Sequence, residues 1–390
     1  IAGTNRWINF GFFSFQPSEY AKIILILCTA AVFTIYDKVV DERPYLVINR
    51  TLTKVNQEGI AKRFSVFSGR VLENYPMIGK YILSIVVVAP IVLLTFIQPA
   101  LGSSIIIAMI WGIMLIVTYP QQDKLFGFLI VAGIFFAALT RIAHIQLIDD
   151  SYFSVSFGTN TINYITLAIM FIGIIVTYFV ARLRIITIII ALILSVTMLS
   201  GFILAWNKVL PDYQKTRITT FIGGPEANPL TAGYQVRQSR IAIGSGRLLG
   251  RGFLQGTQSG NNVLTQAHTD FVFAAISEQF GFIGGSMVMF LYIILIMRVL
   301  QVGLNTKSTY GSVVTSGVAA LLLLHIFINI GMNLGKLPVT GIPLPLISYG
   351  GSSVFVILIS LGIVQAIGGS QKPVDIGDNL MLTSRSLSNT

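Results

Sequence analysis

Residues 271–300 read FVFAAISEQFGFIGGSMVMFLYIILIMRVL, and only Glu278 and Arg298 among them carry charge. A bilayer core of ~30 Å needs ~20 mostly apolar residues per spanning helix, so this stretch reads as a membrane span. The whole chain agrees with it. Of 390 residues 54% are hydrophobic and 11% charged, where soluble domains run at roughly a quarter charged. A water-soluble enzyme is thereby excluded. The charges are lopsided, 26 Lys and Arg against 15 Asp and Glu, for a net +11. In a membrane protein such a surplus points to positive cytoplasmic loops and anionic head groups. The basic residues are scattered between apolar blocks, which speaks against nucleic acid as a partner. The single cysteine, Cys28, excludes an intramolecular disulfide.

Extending the same criterion predicts an all-α, polytopic transmembrane helical bundle with nine spans: Glu19 to Tyr36, Lys80 to Ile97, Ser104 to Tyr119, Leu125 to Leu139, Tyr164 to Val180, Ile185 to Trp206, Phe271 to Leu300, Ser312 to Gly331 and Val354 to Ile367. Lys and Arg concentrate in Asp37 to Lys80, at Arg182 and Arg184, and at Arg298 and Lys307. With alternating spans these turns share one side, taken as cytoplasmic. The opposite face then holds Gln98 to Ser103, Arg141 to Asn163, Asn207 to Asp270 and Met332 to Ser352. We read residues 1–370 as one integral-membrane domain and 371–390 as a cytoplasmic tail. The chain opens on Ile1 with no initiator Met, so it is expected to begin inside a longer protein.

Two outer segments are too long for simple connectors. Asn207 to Asp270 is polar and glycine-rich, and loops of such length usually carry function. Met332 to Ser352, MNLGKLPVTGIPLPLISYGGS, is rich in Pro and Gly yet apolar. Such backbone is tolerated at membrane depth where protein buries it or where it lines a cavity, so a folded-in loop walling a site is expected.

A general base must titrate, be held in place and reach substrate. The outer-face carboxylates are Asp149, Asp150, Asp212, Glu226 and Asp270, with His268 beside the last. Asp149 and Asp150 lack a Gly or Pro framework and read as solvated surface. Asp212, placed at a helix exit before Tyr213, reads as a cap or a structural hydrogen bond. Asp270 stands where the polar loop becomes the span 271–300. A carboxylate there either caps the helix N-terminus or does chemistry, and Thr269 can cap as well, so both readings stay open. Glu278, about two turns on and on the same face, is acidic at a depth where such a residue has a partner or a function. Pairing with a Lys, an Arg or a backbone donor is its preferred reading. Lys208, Lys215, Arg217, Arg237, Arg240, Arg247 and Arg251 make the long loop basic. Guanidinium groups bind phosphate bidentately, so a phosphate or diphosphate lipid fits this face, as does generic attraction to anionic lipids. Gly244, Gly246, Gly250 and Gly252 suit close backbone approach or tight turns. His144, His268 and His325 have no metal-ligand spacing, His325 reads as a satisfied core histidine, and no Walker or dinucleotide motif occurs.

Several motifs then fall into an order that resembles the SEDS family, the shape, elongation, division and sporulation proteins. These are Asn5-Arg6-Trp7-Ile8; Phe15-Gln16-Pro17-Ser18-Glu19 with Lys22; Gln98-Pro99 with Leu101-Gly102; Asp212-Tyr213-Gln214 with Arg217; Gly233-Tyr234-Gln235 with Ser239 and Ala242-Ile243-Gly244-Ser245-Gly246; His268-Thr269-Asp270-Phe271 with Glu278; and Pro343-Leu344-Pro345-Leu346-Ile347-Ser348-Tyr349-Gly350-Gly351-Ser352. Gly256-Thr257-Gln258-Ser259 is closer to the elongation branch than to the division branch. The resemblance implies an inverting peptidoglycan glycosyltransferase of the bacterial inner membrane, which polymerises lipid II during cell elongation beside a class B penicillin-binding protein. By position, Asp270 matches the catalytic aspartate. Trp7, Lys215, Arg217, Arg237, Arg240, His268, Glu278 and Lys336 are the expected contacts to lipid II and the undecaprenyl diphosphate-linked glycan. No cofactor is obligatory, and a divalent cation, Mg or Mn, is expected only as an aid at the diphosphate.

The chain departs from the family pattern in three ways. About three spans that precede the Arg-Trp-Ile segment in the family are absent. Ala100 stands where the family has Asp in its Gln-Pro-Asp-Leu-Gly run. The stretch from Gln98 to Tyr213 is long enough for an extra hairpin, about 125–180. Two other classes remain as alternatives: a lipid-linked precursor flippase, and a non-catalytic scaffold for a penicillin-binding protein.

Overall fold

The computed structural model describes residues 8–9, 14–42, 76–98, 100–119, 129–134, 145–148, 152–155, 175, 185–208, 210–223, 232–260, 263–264 and 266–370. The architecture is an all-α membrane bundle. Its helices are α1 (Pro17–Glu42), α2 (Pro76–Ile97), α3 (Leu101–Thr118), α4 (Ile185–Lys208), α5 (Asp212–Gly223), α6 (Ala232–Gly246), α7 (Thr257–Gly260), α8 (Val272–Asn305), α9 (Thr309–Asn333) and α10 (Gly351–Gly369). Two small antiparallel ribbons accompany them, Ile8–Asn9 with Ser14–Phe15 and Ile145–Ile148 with Tyr152–Val155.

Seven of the nine expected spans coincide with helices, five of them long and apolar enough to cross a membrane and two, within α2 and α3, shorter. The other two expected spans, and with them the extra hairpin, lie largely outside the described residues. The long outer loop is not irregular chain, because α5 and α6 occupy much of it. Asp212 begins α5 where a helix exit was expected.

α9 is apolar on most of every side, broken by buried polar residues such as His325, Asn329 and Asn333, and is the hub, packed against α1, α3, α6, α8 and α10. Leu25, Ile26 and Phe33 of α1, Ile106, Ile107, Ile110 and Met114 of α3, and Val314, Leu321 and Leu322 of α9 form its dry centre. A helix hydrophobic on every side must be enclosed by others. α8 and α10 instead turn Phe282, Met287, Phe290, Leu291, Phe355 and Leu358 outward. In water such a surface would be a liability; in a bilayer it is the lipid face.

The expected single span 271–300 is broken. Gly281 has φ 66° and ψ −161°, so α8 is two helices joined at a kink. Unbroken, its 34 residues would reach about 51 Å, well past a ~30 Å bilayer core. The segment after α6 braces the break from both sides. Arg251 N donates to Glu278 O and Gly252 N to Gln279 O at 3.0 Å each, while Phe282 N donates to Arg247 O at 2.8 Å and Ile283 N to Leu248 O at 3.2 Å. Exposed peptide groups at a helix break need such partners. The fit requires glycine on the bracing strand. Gly250 has φ +84°, and a Cβ there would lie 2.1 Å from Gln279 O. Gly250→Ala should therefore destabilise the protein by about 2 kcal/mol or more. Gly244→Ala, with nothing within 4 Å of the added methyl, should be neutral or stabilising. Equal melting temperatures for the two variants in detergent would refute this reading of the brace.

Candidate active site

The turn Gln266–Phe271 brings the chain from the outer loop into α8. Thr269 N and Phe271 N both donate to Gln266 O, at 3.3 and 3.1 Å. Three successive carbonyls of this turn are then held by other elements. His268 O accepts from Tyr349 N at 2.9 Å. Thr269 O accepts from Ser348 Oγ at 2.6 Å. Asp270 O accepts from Asn329 Nδ2 and Asn333 Nδ2, each at 3.0 Å. Buried carbonyls require such donors, and here they come from α9 and from the Pro- and Gly-rich loop expected to fold inward.

Asp270 does not cap α8. The N-cap position is Phe271, with no side-chain cap bond. Ala274 N is satisfied by Asn333 Oδ1 of α9 at 3.1 Å, and Thr269 Oγ1 donates to Gln266 Oε1 at 2.8 Å. The capping reading of Asp270 and of Thr269 is thereby corrected: a side chain from a neighbouring helix supplies the cap. The Asp270 carboxylate turns toward the inward loop. A methyl placed on Gly341 would sit 3.5 Å from Asp270 Oδ2 and 3.9 Å from Arg217 Nη1, so carboxylate and guanidinium face one small gap. Burial raises the Asp270 carboxyl above the usual aspartate range, and the positive charge of Arg217 offsets part of the rise. A half-buried carboxylate of raised basicity beside a cation can take a proton from a hydroxyl and then have its surroundings balanced by positive charge.

The other expected residues fall at several places. His268 walls a cavity of about 800 Å³, shared with Val272, Tyr349 and Phe355. Arg237 and Arg240 lie on the exposed side of α6, and the stem of Arg240 packs against Gly335 of the inward loop. Lys336 is exposed on that loop. Lys215 is buried on α5 and 3.8 Å from the exposed carboxylate of Asp212, a pairing worth little where one partner is solvated. Trp7, Asp149, Asp150 and Glu226 lie outside the described residues.

Glu278 is 0% exposed, and both its oxygens are engaged. They accept from the backbone N–H of Thr257, Gln258 and Ser259 at 2.8–2.9 Å, and from the Ser259 and Thr257 hydroxyls. This favours backbone pairing over a substrate contact, and the partners are donors at the start of α7 instead of groups deep in the bundle. Among the described residues no three His, Cys, Asp or Glu side chains come together in a metal-binding group.

Two buried polar groups were not legible as units. Lys22 Nζ lies 2.6 Å from Glu19 Oε1 and 2.9 Å from His325 Nε2, and His325 Nδ1 is 2.7 Å from Leu321 O. The core-histidine reading of His325 holds, since both ring nitrogens are satisfied. Asn329 and Asn333 were missed altogether, although two amides spaced by four in an apolar helix share a face and demand partners.

Set against known proteins, residues 1–152 and 152–372 match the model of the FtsW, RodA and SpoVE family, described as cell cycle protein. The chain is 44% identical over 179 residues to the peptidoglycan glycosyltransferase MrdB of Escherichia coli K12, covering 46% of this chain and 48% of that protein. It thus spans about half the length of such curated relatives. It is 32% identical to the peptidoglycan glycosyltransferase RodA of Treponema pallidum over 95% of this chain and 78% of the relative. Its fold is like that of a chain in a solved peptidoglycan synthase complex, with TM-score 0.55 and 21% identity over 96% of this chain and 75% of the other.

Proposed function

The chain belongs to the FtsW, RodA and SpoVE family of cell cycle proteins, multi-pass proteins of the bacterial inner membrane, and on that premise we propose that it polymerises lipid II into glycan strands at the outer face. The observation that carries this reading is the Asp270 carboxylate, half-buried and facing Arg217 across Gly341. Asp270 takes the proton of the acceptor 4-hydroxyl as that oxygen attacks the anomeric carbon of the lipid-linked donor. The new C–O bond forms with inversion, while the bond to undecaprenyl diphosphate breaks and its electron pair leaves with the diphosphate. Arg217, the cation that faces the carboxylate, is assigned to that developing charge, and Lys215, Arg237, Arg240 and Lys336 add positive charge on α5, α6 and the inward loop. The cavity beside His268 has a mostly apolar lining suited to part of a polyprenyl tail. A class B penicillin-binding protein is the proposed partner, its transpeptidase cross-linking the strands made here. A divalent cation at the diphosphate would add charge neutralisation but is not needed for the proton transfer.

The break at Gly281 is the one feature that suits lipid translocation. Four of the peptide groups flanking it, however, are bonded to residues 247–252, which favours a braced, structural kink over a cargo site. The test is reconstitution of the full-length protein with a class B penicillin-binding protein in vesicles holding lipid II. Glycan strands resolved on a gel are expected, and Arg217→Met should lower their rate of formation about tenfold or more, the scale of a lost charge-assisted contact. A folded, partnered complex that moves labelled lipid II across the bilayer without making polymer would overturn the assignment.

A further inference from the structure

Asn329 and Asn333 are each 0% exposed and one helical turn apart on α9, with the buried His325 one turn before them. Each primary amide has two N–H donors. Asn329 uses its Nδ2 on Asp270 O at 3.0 Å and on Ile342 O at 2.8 Å. Asn333 uses its Nδ2 on Asp270 O at 3.0 Å and on Asn329 O at 2.8 Å, and its Oδ1 takes Ala274 N. The Asn333 carbonyl in turn accepts from Ser239 Oγ of α6 at 2.7 Å. One amide thus bonds both the residue carrying the carboxylate and the loop opposite it, because Ile342 directly follows the Gly341 that faces Asp270 and Arg217.

We propose that Asn329 and Asn333 are positioning residues, a pair of amides that clamps the main chain of Asp270 against the inward loop and so sets where its carboxylate stands relative to Arg217 and the acceptor hydroxyl. The inference rests on the reading of Asp270 as the acceptor base. Two donors on one carbonyl, backed by a third bond to the facing loop, fix position more tightly than a single bond. The two amides lie on α9, whereas the basic residues proposed to hold lipid II lie largely on α5 and α6, so removing the clamp is expected to spare lipid II binding. Proximity effects are steep, and a displacement of about 1 Å costs on the order of 10²-fold in rate. A satisfied buried network also specifies packing, so the test must separate turnover from folding.

Asn329→Leu and Asn333→Leu remove the donors while keeping the number and branching of side-chain heavy atoms. They are made in the full-length protein, reconstituted with a class B penicillin-binding protein and lipid II, beside Asp270→Asn and Thr315→Val. Thr315 is likewise a fully buried polar residue of α9, but lies about four turns from the clamp. Per mole of folded protein, kcat is expected to fall about 10- to 100-fold in each Asn→Leu variant, with KM for lipid II within about twofold. The acid limb of the rate profile should move as well, since Arg217, the charged group facing Asp270, no longer sits at a fixed distance. Thr315→Val should turn over like wild type. The clamp is overturned if folded Asn→Leu variants keep kcat within about twofold, or lose KM instead of kcat. It is also overturned if neither they nor Asn329→Ser and Asn333→Ser yield folded protein, which would make the role structural. Wild-type polymerisation by Asp270→Asn would remove the base reading itself, whereas an inactive Asp270→Asn beside active Asn→Leu variants would remove the clamp alone.

Discussion

Asp270→Asn is expected to cut glycan polymerisation about 10²- to 10⁴-fold, the usual worth of a positioned general base, while leaving the protein folded. The amide keeps the size of the side chain and cannot accept the proton. The variant should also melt at a higher temperature than wild type near neutral pH. The sign follows from proton linkage. Burial raises the folded carboxyl above its unfolded value, with Arg217 opposing. Between those two values the folded state binds more protons than the unfolded one. The stabilising contribution of protonated Asp270 is therefore complete below the unfolded pKa and is lost as pH rises through the folded one. Ionised Asp270 is a cost to stability that the amide removes, so activity and stability move in opposite directions. In the wild-type protein the acid limb of kcat/KM should lie above the ordinary aspartate range, and Arg217→Met should raise it further. An acid limb at the ordinary value, unmoved by Arg217→Met, would mean that Asp270 is not the titrating base.

Lys22→Met should be the most destabilising single substitution among the helices described. Lys22 and Glu19 are paired at 2.6 Å with side chains 1% and 5% exposed, and Ser353 of α10 adds a hydroxyl bond to Glu19. Lys22 also donates to His325 Nε2, so the imidazole carries its proton on Nδ1 and gives it to Leu321 O. The group thereby ties α1 to α9 and α10. Removing the ammonium leaves a carboxylate in an apolar interior with no counter-charge, and breaking a buried pair in this way costs about 3–5 kcal/mol. Replacing both partners, Glu19→Gln with Lys22→Met, should recover much of the loss because no charge stays buried. Unfolding in detergent micelles measures both variants. A Lys22→Met protein within about 1 kcal/mol of wild type, a shift typical of surface changes, would show that the triad does not hold the helices together.

Much of the bundle was legible because span length and apolarity are local properties. The segments 271–300, 312–331 and 354–367 announce themselves residue by residue, and their helices are in place. Asp270 was legible as a candidate because so few carboxylates face outward, and the inward fold of Met332 to Ser352 because its Pro and Gly cannot continue a helix. The break at Gly281 was not legible. A glycine in an apolar helix is tolerated without a kink, and the kink exists only where residues 247–252 arrive to bond the freed peptide groups. Glu278 was legible as an acid that needs partners, yet its donors come from Thr257 to Ser259, which no helical periodicity connects to it.

By itself the sequence determined that the protein is a membrane bundle with a basic outer segment ending at Asp270, because hydrophobicity and charge act through composition along the chain. The tertiary structure alone decided what surrounds that carboxylate. Arg217, Asn329, Asn333 and Gly341 come to it from α5, α9 and the inward loop, each more than 50 residues away, and hydrogen bonds and close packing depend on distances in space that chain order does not contain.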